Sequence, residues 1–355
     1  MPNRNDAAGR AANVVFTGCE IASAAPVHAH PGGRRRQVVV KGRRVKTVDV
    51  HAHCFIPEAV EIATQKPTEI KRPGMIVKDD RLREMDAMGI DVEALSINPF
   101  WYRAECDAAV EIVRIQNERL AELCAAHPDR FVAFASVALQ YPDLAVQQLE
   151  HAVKKLGLRG AAIGASVAGE EFSEPKFHPF WKKAEELGIL IFLHPQSTPE
   201  LAQRFKGNGW LSNVIGNPLD TTIALSHLIF EGTLDRFPGL KICAAHGGGY
   251  LGSYAARSDH GCRITPSECN PALRLKKKPS EYLRDLYFDS LVFTPEALRH
   301  LAAEVGSSQI VIGTDHPIPW NPNPVDHVLA TPELTDEERI AILGGTAARL
   351  LGIGP

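Results

Sequence analysis

Short apolar segments alternate with longer amphipathic segments along most of the chain, and this alternation restricts the possible fold more than any other feature. The eight segments with the length and composition of strands are residues 47–50, 92–97, 131–137, 160–163, 190–193, 241–245, 286–288 and 309–312. The main helix-like segments are residues 107–126, 142–156, 177–187, 220–231, 295–305 and 335–351. Strands that alternate with helices pair in parallel, and eight of them close a TIM barrel. The sequence therefore predicts an α/β fold, a slightly distorted (β/α)8 barrel, with a doubly wound open sheet as the alternative.

The barrel pattern follows an N-terminal region of different composition. Residues 1–36 are rich in Ala, Gly, Pro and Arg and predict an irregular arm outside the main core, and a short hairpin is expected around Lys41-Gly42. We therefore divide the 355 residues into an N-terminal extension, residues 1–45, and one barrel domain, residues 46–355. A small insertion is expected after the first barrel strand.

Charge and cysteine usage exclude several classes of function. The 39 basic and 42 acidic residues give a net charge of −3, which excludes a generally basic nucleic-acid binder and argues against electrostatic docking on membranes. No apolar run approaches the roughly 18 residues that cross a bilayer, and the N-terminus lacks the apolar core of a secretory signal. The seven cysteines include no C-x-x-C pair and predict neither a disulfide framework nor a thiolate zinc site. We expect a cytoplasmic protein that binds small molecules rather than nucleic acid or membrane.

Imidazole and carboxylate side chains stand at the ends of four predicted strands. His51 and His53 end the first strand, His194 ends the fifth, His246 the sixth and Asp315 the eighth. The carboxyl ends of parallel barrel strands meet at one rim, so these side chains should converge there. Such ligands suit zinc and comparable divalent ions. The sequence thus predicts one divalent cation, with zinc as the expected metal and manganese as the alternative.

Six sequence motifs carry a resemblance to a known family. They are residues 48–53 (V-D-V-H-A-H), 85–92 (M-D-A-M-G-I-D-V), 192–195 (F-L-H-P), 216–222 (G-N-P-L-D-T-T), 245–249 (A-H-G-G-G) and 313–317 (G-T-D-H-P). Through them the sequence resembles the amidohydrolase superfamily, and within it the non-oxidative decarboxylases related to aminocarboxymuconate-semialdehyde decarboxylase. The H-G-G-G segment, followed by Arg257, is the feature most particular to this branch.

The resemblance implies roles for individual residues. The metal ligands would be His51, His53, His194 and Asp315, with a water or hydroxide completing the shell. His246 would be the catalytic acid/base, with Asp315 sharing its proton relay. Arg257 would cross the interface of a homodimer and hold a substrate carboxylate in the neighbouring subunit. The implied reaction is the release of carbon dioxide from an aromatic or muconate-type carboxylic acid.

The residues themselves add one restriction and leave several alternatives open. Residues 159–166, the fourth strand and its end, contain no lysine that could bridge two metals, which predicts a mononuclear site. Rim-side aromatic residues expected to contact a planar substrate are Trp101, Trp210 and Phe293. An upstream basic contact to substrate could come from Arg72, Lys78 or Arg81. The rival functions are a hydrolase or hydratase of a lactone, amide or enol, and a non-catalytic metal-binding barrel.

Overall fold

The computed structural model describes residues 35–196 and 198–354. Within these ranges the strands are β1 (Val39–Val40), β2 (Arg43–Arg44), β3 (Val48–His53), β4 (Val92–Ser96), β5 (Phe131–Ala133), β6 (Gly160–Ile163), β7 (Leu190–Leu193), β8 (Lys241–Ala244), β9 (Tyr287–Asp289) and β10 (Ile310–Val311). The α-helices are α1 (Pro57–Ile62), α2 (Asp79–Met88), α3 (Cys106–Ala126), α4 (Pro142–Lys154), α5 (His178–Leu187), α6 (Leu211–Val214), α7 (Gly216–Phe230), α8 (Thr233–Arg236), α9 (Leu251–Ser258), α10 (Gly261–Ile264), α11 (Pro295–Val305), α12 (Pro324–Ala330), α13 (Asp336–Ile340) and α14 (Thr346–Leu351).

The eight strands β3 to β10 are parallel and form a ring with two seams. Strands β10-β9-β8-β7-β6 make one sheet and β3-β4-β5 make another. At the first seam the amide of Val50 donates to the carbonyl of Ile312 at 2.9 Å, and at the second the amide of Ala135 donates to Gly160 at 2.8 Å. Isolated bridges rather than continuous ladders therefore join the two sheets. The predicted α/β barrel and each of its eight strands are confirmed, and the distortion lies at the seams.

The core has an inner and an outer layer. Inside the ring, Val48, Val50, Phe134 and Phe192 pack together, and residues of α14 close the same cluster. A larger cluster lies between the strands and the surrounding helices. The ring is therefore a packed core whose polar rim, not its centre, is available for chemistry.

The hairpin β1–β2 packs on the barrel. Lys41 and Gly42 have positive φ angles of 49° and 73°, as the tight turn between such short strands requires. Val38, Val40 and Val45 are buried in the outer core cluster. The hairpin thus belongs to the packing of the barrel, while the predicted irregular arm, apart from its last two residues, lies outside the described residues.

Two other segments refine the predicted elements. The insertion after β3 contains α1 and a 3-10 turn, Thr68–Lys71, before α2 begins. The predicted helix 335–351 is divided into α13, a π-helical turn Ala341–Gly345 and α14, and it begins with a capping box between Thr335 and Glu338. A Cβ on Gly344 would lie 1.9 Å from the carbonyl oxygen of Lys46, so this position requires glycine.

Among the residues that the structure describes, Cys262 and Cys269 form one disulfide that the sequence did not indicate. Cys262 and Cys269 are joined because α10 turns the chain back and brings their Cα atoms within 5.7 Å. A single short-loop disulfide does not amount to the disulfide framework that the sequence argued against. None of the described helices is long and apolar enough to cross a membrane.

Candidate metal centre

A β-bulge directs the first two ligand side chains into the rim. The pairing of β3 with β4 runs from Asp49 opposite Glu93 to Ala52 opposite Leu95, so β3 has one extra residue between these pairs. Bulges of this kind re-aim side chains beside active sites. Here the bulge follows the core residue Val50 and lets His51 face the centre of the rim.

The four predicted ligands converge at one point. The ligand atoms of His51, His53, His194 and Asp315 all lie within 4.8 Å of one another. His53 Nε2 is 2.9 Å from His51 Nε2 and 2.8 Å from Asp315 Oδ1. In residues 35–196 and 198–354 this is the one such group of three or more potential ligands. The absence of a second group agrees with the predicted mononuclear site.

The donor set fits a divalent cation. Neither ring nitrogen of His194 has a hydrogen-bond partner among the described residues, although the side chain is buried. A buried imidazole without a partner is costly unless something else binds it. Three imidazoles and one carboxylate are the ligand types that zinc and similar ions take. The chain therefore has one site for a divalent metal ion, built by these four residues.

Protonation of the cluster also favours a cation. Burial raises the pKa of Asp315, but the charge of His51 and the polar contacts with the His246, His51 and His53 imidazoles outweigh it and hold this pKa well below its usual range. Burial and the neighbouring imidazoles lower the pKa of His194 well below its usual value. Burial also lowers the pKa of His51, yet the charge of Asp315 and the hydrogen bond with Asp289 raise it to about 10. A bound cation would supply the positive charge that the proton on His51 supplies in the metal-free cluster.

Asp289, at the end of β9, orients the site and was not among the predicted residues. Its Oδ2 lies 2.6 Å from His51 Nδ1 and also accepts the amide N–H of His246 at 2.9 Å, while its Oδ1 accepts from Gly247 at 2.8 Å. A carboxylate on the second nitrogen of a ligand imidazole fixes its tautomer and orientation. His53 is held similarly, since its Nδ1 lies 3.1 Å from Ser96 Oγ. Asp289 therefore connects the ligand His51 to the loop that carries His246.

His246 stands beside the ligands at the start of a tight turn that is completed by three glycines. His246 itself has a φ of 56°, and Gly247, Gly248 and Gly249 all have positive φ. A Cβ on Gly249 would lie 2.0 Å from the carbonyl oxygen of Pro218, which explains the glycine at this position. His246 Nε2 is 3.9 Å from Asp315 Oδ2, and its Nδ1 has no partner among the described residues. The His246 imidazole therefore lies beside the metal site without belonging to the four-residue ligand group.

A second buried network lies below the ligands. Arg81 donates from Nε to Glu93 Oε2 at 2.6 Å and from Nη1 to the carbonyl of His53 at 2.8 Å. His316 places Nδ1 2.6 Å from Glu93 Oε1 and Nε2 2.9 Å from Glu84 Oε2. The network links α2, β3, β4 and the loop after β10. Arg81 therefore has a structural position here, away from the cavities.

Two adjoining cavities flank the ligand cluster. The smaller one, of about 200 Å³, is lined by the ligands His53, His194 and Asp315, and also by Phe100 and Arg72. The larger one, of about 340 Å³, is lined by His246. Residues lining both cavities are Asn213, Asn217 and Trp320. Together they form a site of two compartments with the ligand cluster on one side and His246 on the other.

The remaining predicted substrate contacts have different positions. Trp210 lines the smaller cavity, stacks on Trp320 with 5.7 Å between ring centres, and lies 5.2 Å from the Arg72 guanidinium carbon. Phe293 lines the larger cavity. Trp101 lines neither, because it is fully buried and its indole N–H donates to the carbonyl of Val137 at 2.9 Å. The geometry gives no support to the predicted contact from Trp101, and its neighbour Phe100 occupies that wall instead.

Two basic residues lie outside both cavities. Lys78 precedes α2 and Arg257 is exposed in the last turn of α9. Of the three upstream basic candidates, Arg72 is the one that lines a cavity. The structure thus separates Arg72, Lys78 and Arg81, which the sequence left equivalent.

A parallel barrel with a histidine and aspartate cluster at the carboxyl ends of its strands defines a metal-dependent barrel enzyme. The chain belongs to the amidohydrolase family, whose sequence model matches residues 48–353. It is 31% identical over 283 residues to the 2-amino-3-carboxymuconate-6-semialdehyde decarboxylase of Dictyostelium discoideum, covering 78% of this chain and 77% of the relative. It is also 31% identical over 321 residues to the gamma-resorcylate decarboxylase of Rhizobium radiobacter, covering 86% of this chain and 97% of the relative.

Solved structures agree with this assignment. A dihydroxybenzoic acid decarboxylase from Polaromonas sp. JS666, with bound manganese and the inhibitor 2-nitroresorcinol, superposes with a TM-score of 0.76 at 27% identity. The match covers 87% of this chain and 97% of that chain. The predicted family and the predicted enzyme class, a carboxy-lyase of the amidohydrolase superfamily, are confirmed.

Proposed function

We propose that the protein releases carbon dioxide from an aromatic or muconate-type carboxylic acid, using one divalent metal ion and His246. The supporting observation is the position of His246 beside the ligand cluster, 3.9 Å from Asp315 and lining the larger of the two cavities. Zinc is the metal that three imidazoles and a carboxylate favour, and manganese, which the Polaromonas enzyme binds, is the alternative.

The ion would be held by His51, His53, His194 and Asp315 and would act as a Lewis acid toward a substrate oxygen. His246 delivers a proton to the unsaturated carbon, in the ring or in the conjugated chain, that bears the carboxylate. The bond between that carbon and the carboxylate then breaks, carbon dioxide leaves, and the electron pair of the broken bond restores the π system. An imidazole suits this transfer because its ordinary pKa lies near neutrality.

Substrate orientation would come from the walls of the smaller cavity. Arg72 provides the cation there, and its planar guanidinium suits a bidentate contact with a carboxylate. Phe100 and Trp210 supply flat apolar surfaces for a planar ring. Phe293 would contact the part of the substrate that extends into the larger cavity.

The active unit is proposed to be a homodimer to which each subunit contributes Arg257. This residue is exposed on α9, and the first residues of the same helix, Gly252 and Ser253, line the larger cavity. A partner packed against α9 would therefore lie next to the opening of the site. Arg257 of the partner subunit would add a second cation for a substrate carboxylate.

The test is a carbon dioxide assay on metal-loaded protein. The substrates are 2-hydroxybenzoate, whose hydroxyl raises electron density at the carbon to be protonated, benzoate, which lacks it, and a conjugated muconate. Stoichiometric carbon dioxide from the first or the third, without net uptake of water, supports the proposal. Hydrolysis of an added lactone, with no carbon dioxide released from any of the three acids, would favour the hydrolase alternative.

A His246→Ala variant gives the decisive comparison. General acid–base groups contribute roughly a hundredfold to ten-thousandfold, so turnover should fall by at least about a hundredfold. Metal content, measured by elemental analysis, should remain that of the unmodified protein because His246 is not in the ligand set. Loss of the metal would instead make His246 a ligand.

A further inference from the structure

We infer that the larger cavity is a pocket for an apolar ring substituent bigger than a methyl group, carried by the aromatic acid whose carboxylate is removed. The inference rests on the proposed function, because it needs the reacting ring to lie at the ligand cluster. The pocket is defined by Val292, Phe293, Ala297 and Leu301, and His246 lies at its inner end. We call it the substituent pocket.

The two cavities differ in the groups that they offer. The smaller cavity includes Glu69, Arg72 and Asp315, and it contains three of the four metal ligands. The described residues that line the larger cavity include no Asp, Glu, Lys or Arg and none of the four ligands. Within one subunit, the guanidinium that can recognise the charged carboxylate therefore lies in the smaller cavity, while the larger one offers uncharged polar groups and two imidazoles beside its apolar wall.

The far wall of the larger cavity is apolar. Val292 and Phe293 come from the loop after β9, and Ala297 and Leu301 lie one turn apart on α11. Phe293 is 56% exposed and Val292 is partly buried, so this wall has apolar surface that the protein itself leaves uncovered. An alkyl or aryl group placed there would remove that surface from water.

Size supports a separate compartment. The larger cavity has about 340 Å³, against about 200 Å³ for the one that contains the ligands. Volumes above roughly 300 Å³ are typical of pockets that bind a ligand of their own. Trp320 stands between the two and lines both, so a planar ring in the smaller cavity could carry a chain past it beside His246.

The competing occupant is a side chain from a second copy. Tyr250, Gly252 and Ser253 at the rim belong to the start of α9 or precede it, and α9 also bears Arg257. In the proposed dimer Arg257 of the partner subunit stands at the opening of the site; if its side chain filled the cavity instead, a longer substituent would collide with it. The two occupants therefore predict opposite effects of substituent length.

The experiment measures binding, so it does not depend on turnover. Metal-loaded protein is titrated by calorimetry with 2-nitrophenol and its 3-methyl, 3-propyl and 3-pentyl derivatives, in which a nitro group replaces the carboxylate so that no carbon dioxide can be released. Each buried methylene should strengthen binding by about fourfold. Equal or weaker binding along the series overturns the inference, and weaker binding assigns the cavity to the partner's side chain.

Three variants locate the effect. Ala297→Phe and Val292→Phe fill the pocket from two sides and should each abolish the dependence of affinity on chain length. Ala303→Phe, at an exposed position of the same helix, is the matched control and should keep it. An unchanged length dependence in both pocket variants, with folding verified by circular dichroism, overturns the inference.

Carbon dioxide release separates the two proposals. Length-dependent binding without carbon dioxide would leave the pocket in place and reject the decarboxylase. Carbon dioxide release with length-independent binding would support the decarboxylase and reject the substituent pocket.

Discussion

Two of the three imidazole ligands use one ring nitrogen for the protein and leave the other for the cation. His51 is held through Nδ1 by Asp289, and His53 through Nδ1 by Ser96. His194 has no such partner among the described residues. The orientation of the site therefore depends on individual side chains outside the ligand set, above all on Asp289.

An Asp289→Asn variant should bind the metal about 10- to 100-fold more weakly, because the amide is a poorer acceptor for His51 and for the two backbone amides. Competition with a chromogenic chelator measures the affinity. Asp285→Asn, at an exposed position just before β9, is the control and should bind the metal normally. Equal affinities in the two variants would show that Asp289 has no part in the site.

The four ligand residues could be predicted because each stands at the carboxyl end of an apolar strand. The same rule applied to Asp289 would have found it, since it directly follows the predicted strand 286–288. Glu93 could also have been singled out from the sequence, because it is a charged residue within the apolar strand β4, where it is buried. Its partners were not predictable, because His316 reaches it from a distant part of the chain and Arg81 reaches it only through the way the preceding helix α2 packs on the barrel. Trp101 and Phe100 are adjacent aromatics, and sequence alone could not tell which one faces the cavity.

At the scale of elements, the loops and side-chain contacts between strands and helices fix how these elements pack around the site. The turn of His246 and its glycines brings the loop after β8 against α7, and the buried Arg81–Glu93 pair ties α2 to β4. The sequence predicted the strands well because buried parallel strands are continuous apolar runs. It could not predict the π-helical turn in 335–351, where the carbonyl of Lys46 packs against Gly344, because that contact joins distant parts of the chain.

A Gly249→Ala variant should lose about 2 kcal/mol or more of unfolding free energy, because the added Cβ meets the carbonyl of Pro218 and φ is 68°. Urea unfolding of metal-free protein measures this. Gly261→Ala is the control, since a Cβ there has nothing within 4 Å and φ is not positive. Equal stability of both variants would contradict the proposed role of this glycine.

A Glu93→Gln variant should be destabilised by about 3–5 kcal/mol, because both partners are essentially buried and Arg81 would keep an uncompensated charge. The unfolding midpoint in urea is the measurement. Glu111→Gln, which removes an exposed ion pair with Arg114 on α3, should leave the midpoint unchanged. A similar midpoint for both variants would mean that the buried pair contributes no more than a surface pair.

At the scale of the whole molecule, the sequence alone was least informative about two features, the closure of the barrel and the assembly of subunits into a dimer. Alternating strands and helices fit an open sheet as well as a barrel, and the difference rests on a few backbone hydrogen bonds at the two seams. Assembly into a dimer was implied only through Arg257, which is exposed in the isolated chain.

Mixing two inactive variants tests the dimer. Neither Arg257→Ala nor His246→Ala should be active alone, but a heterodimer has one site with both residues intact. Equal mixing with free subunit exchange should therefore restore about a quarter of the unmodified activity. Carbon dioxide release after mixing is the readout, and the Arg257→Ala protein mixed with itself is the control. No recovery, with exchange verified by labelled subunits, would place Arg257 outside the shared site.

The first seam lies between strands that both bear ligands. His51 and His53 are on β3, and Asp315 follows β10, so a bound ion joins the beginning of the barrel to its end where backbone pairing is sparse. Such an ion would hold these two strands together in addition to taking part in the reaction. Removing it should loosen the barrel first along this line, so that amide hydrogens of β3 and β10 exchange with solvent before those of β7 and β8.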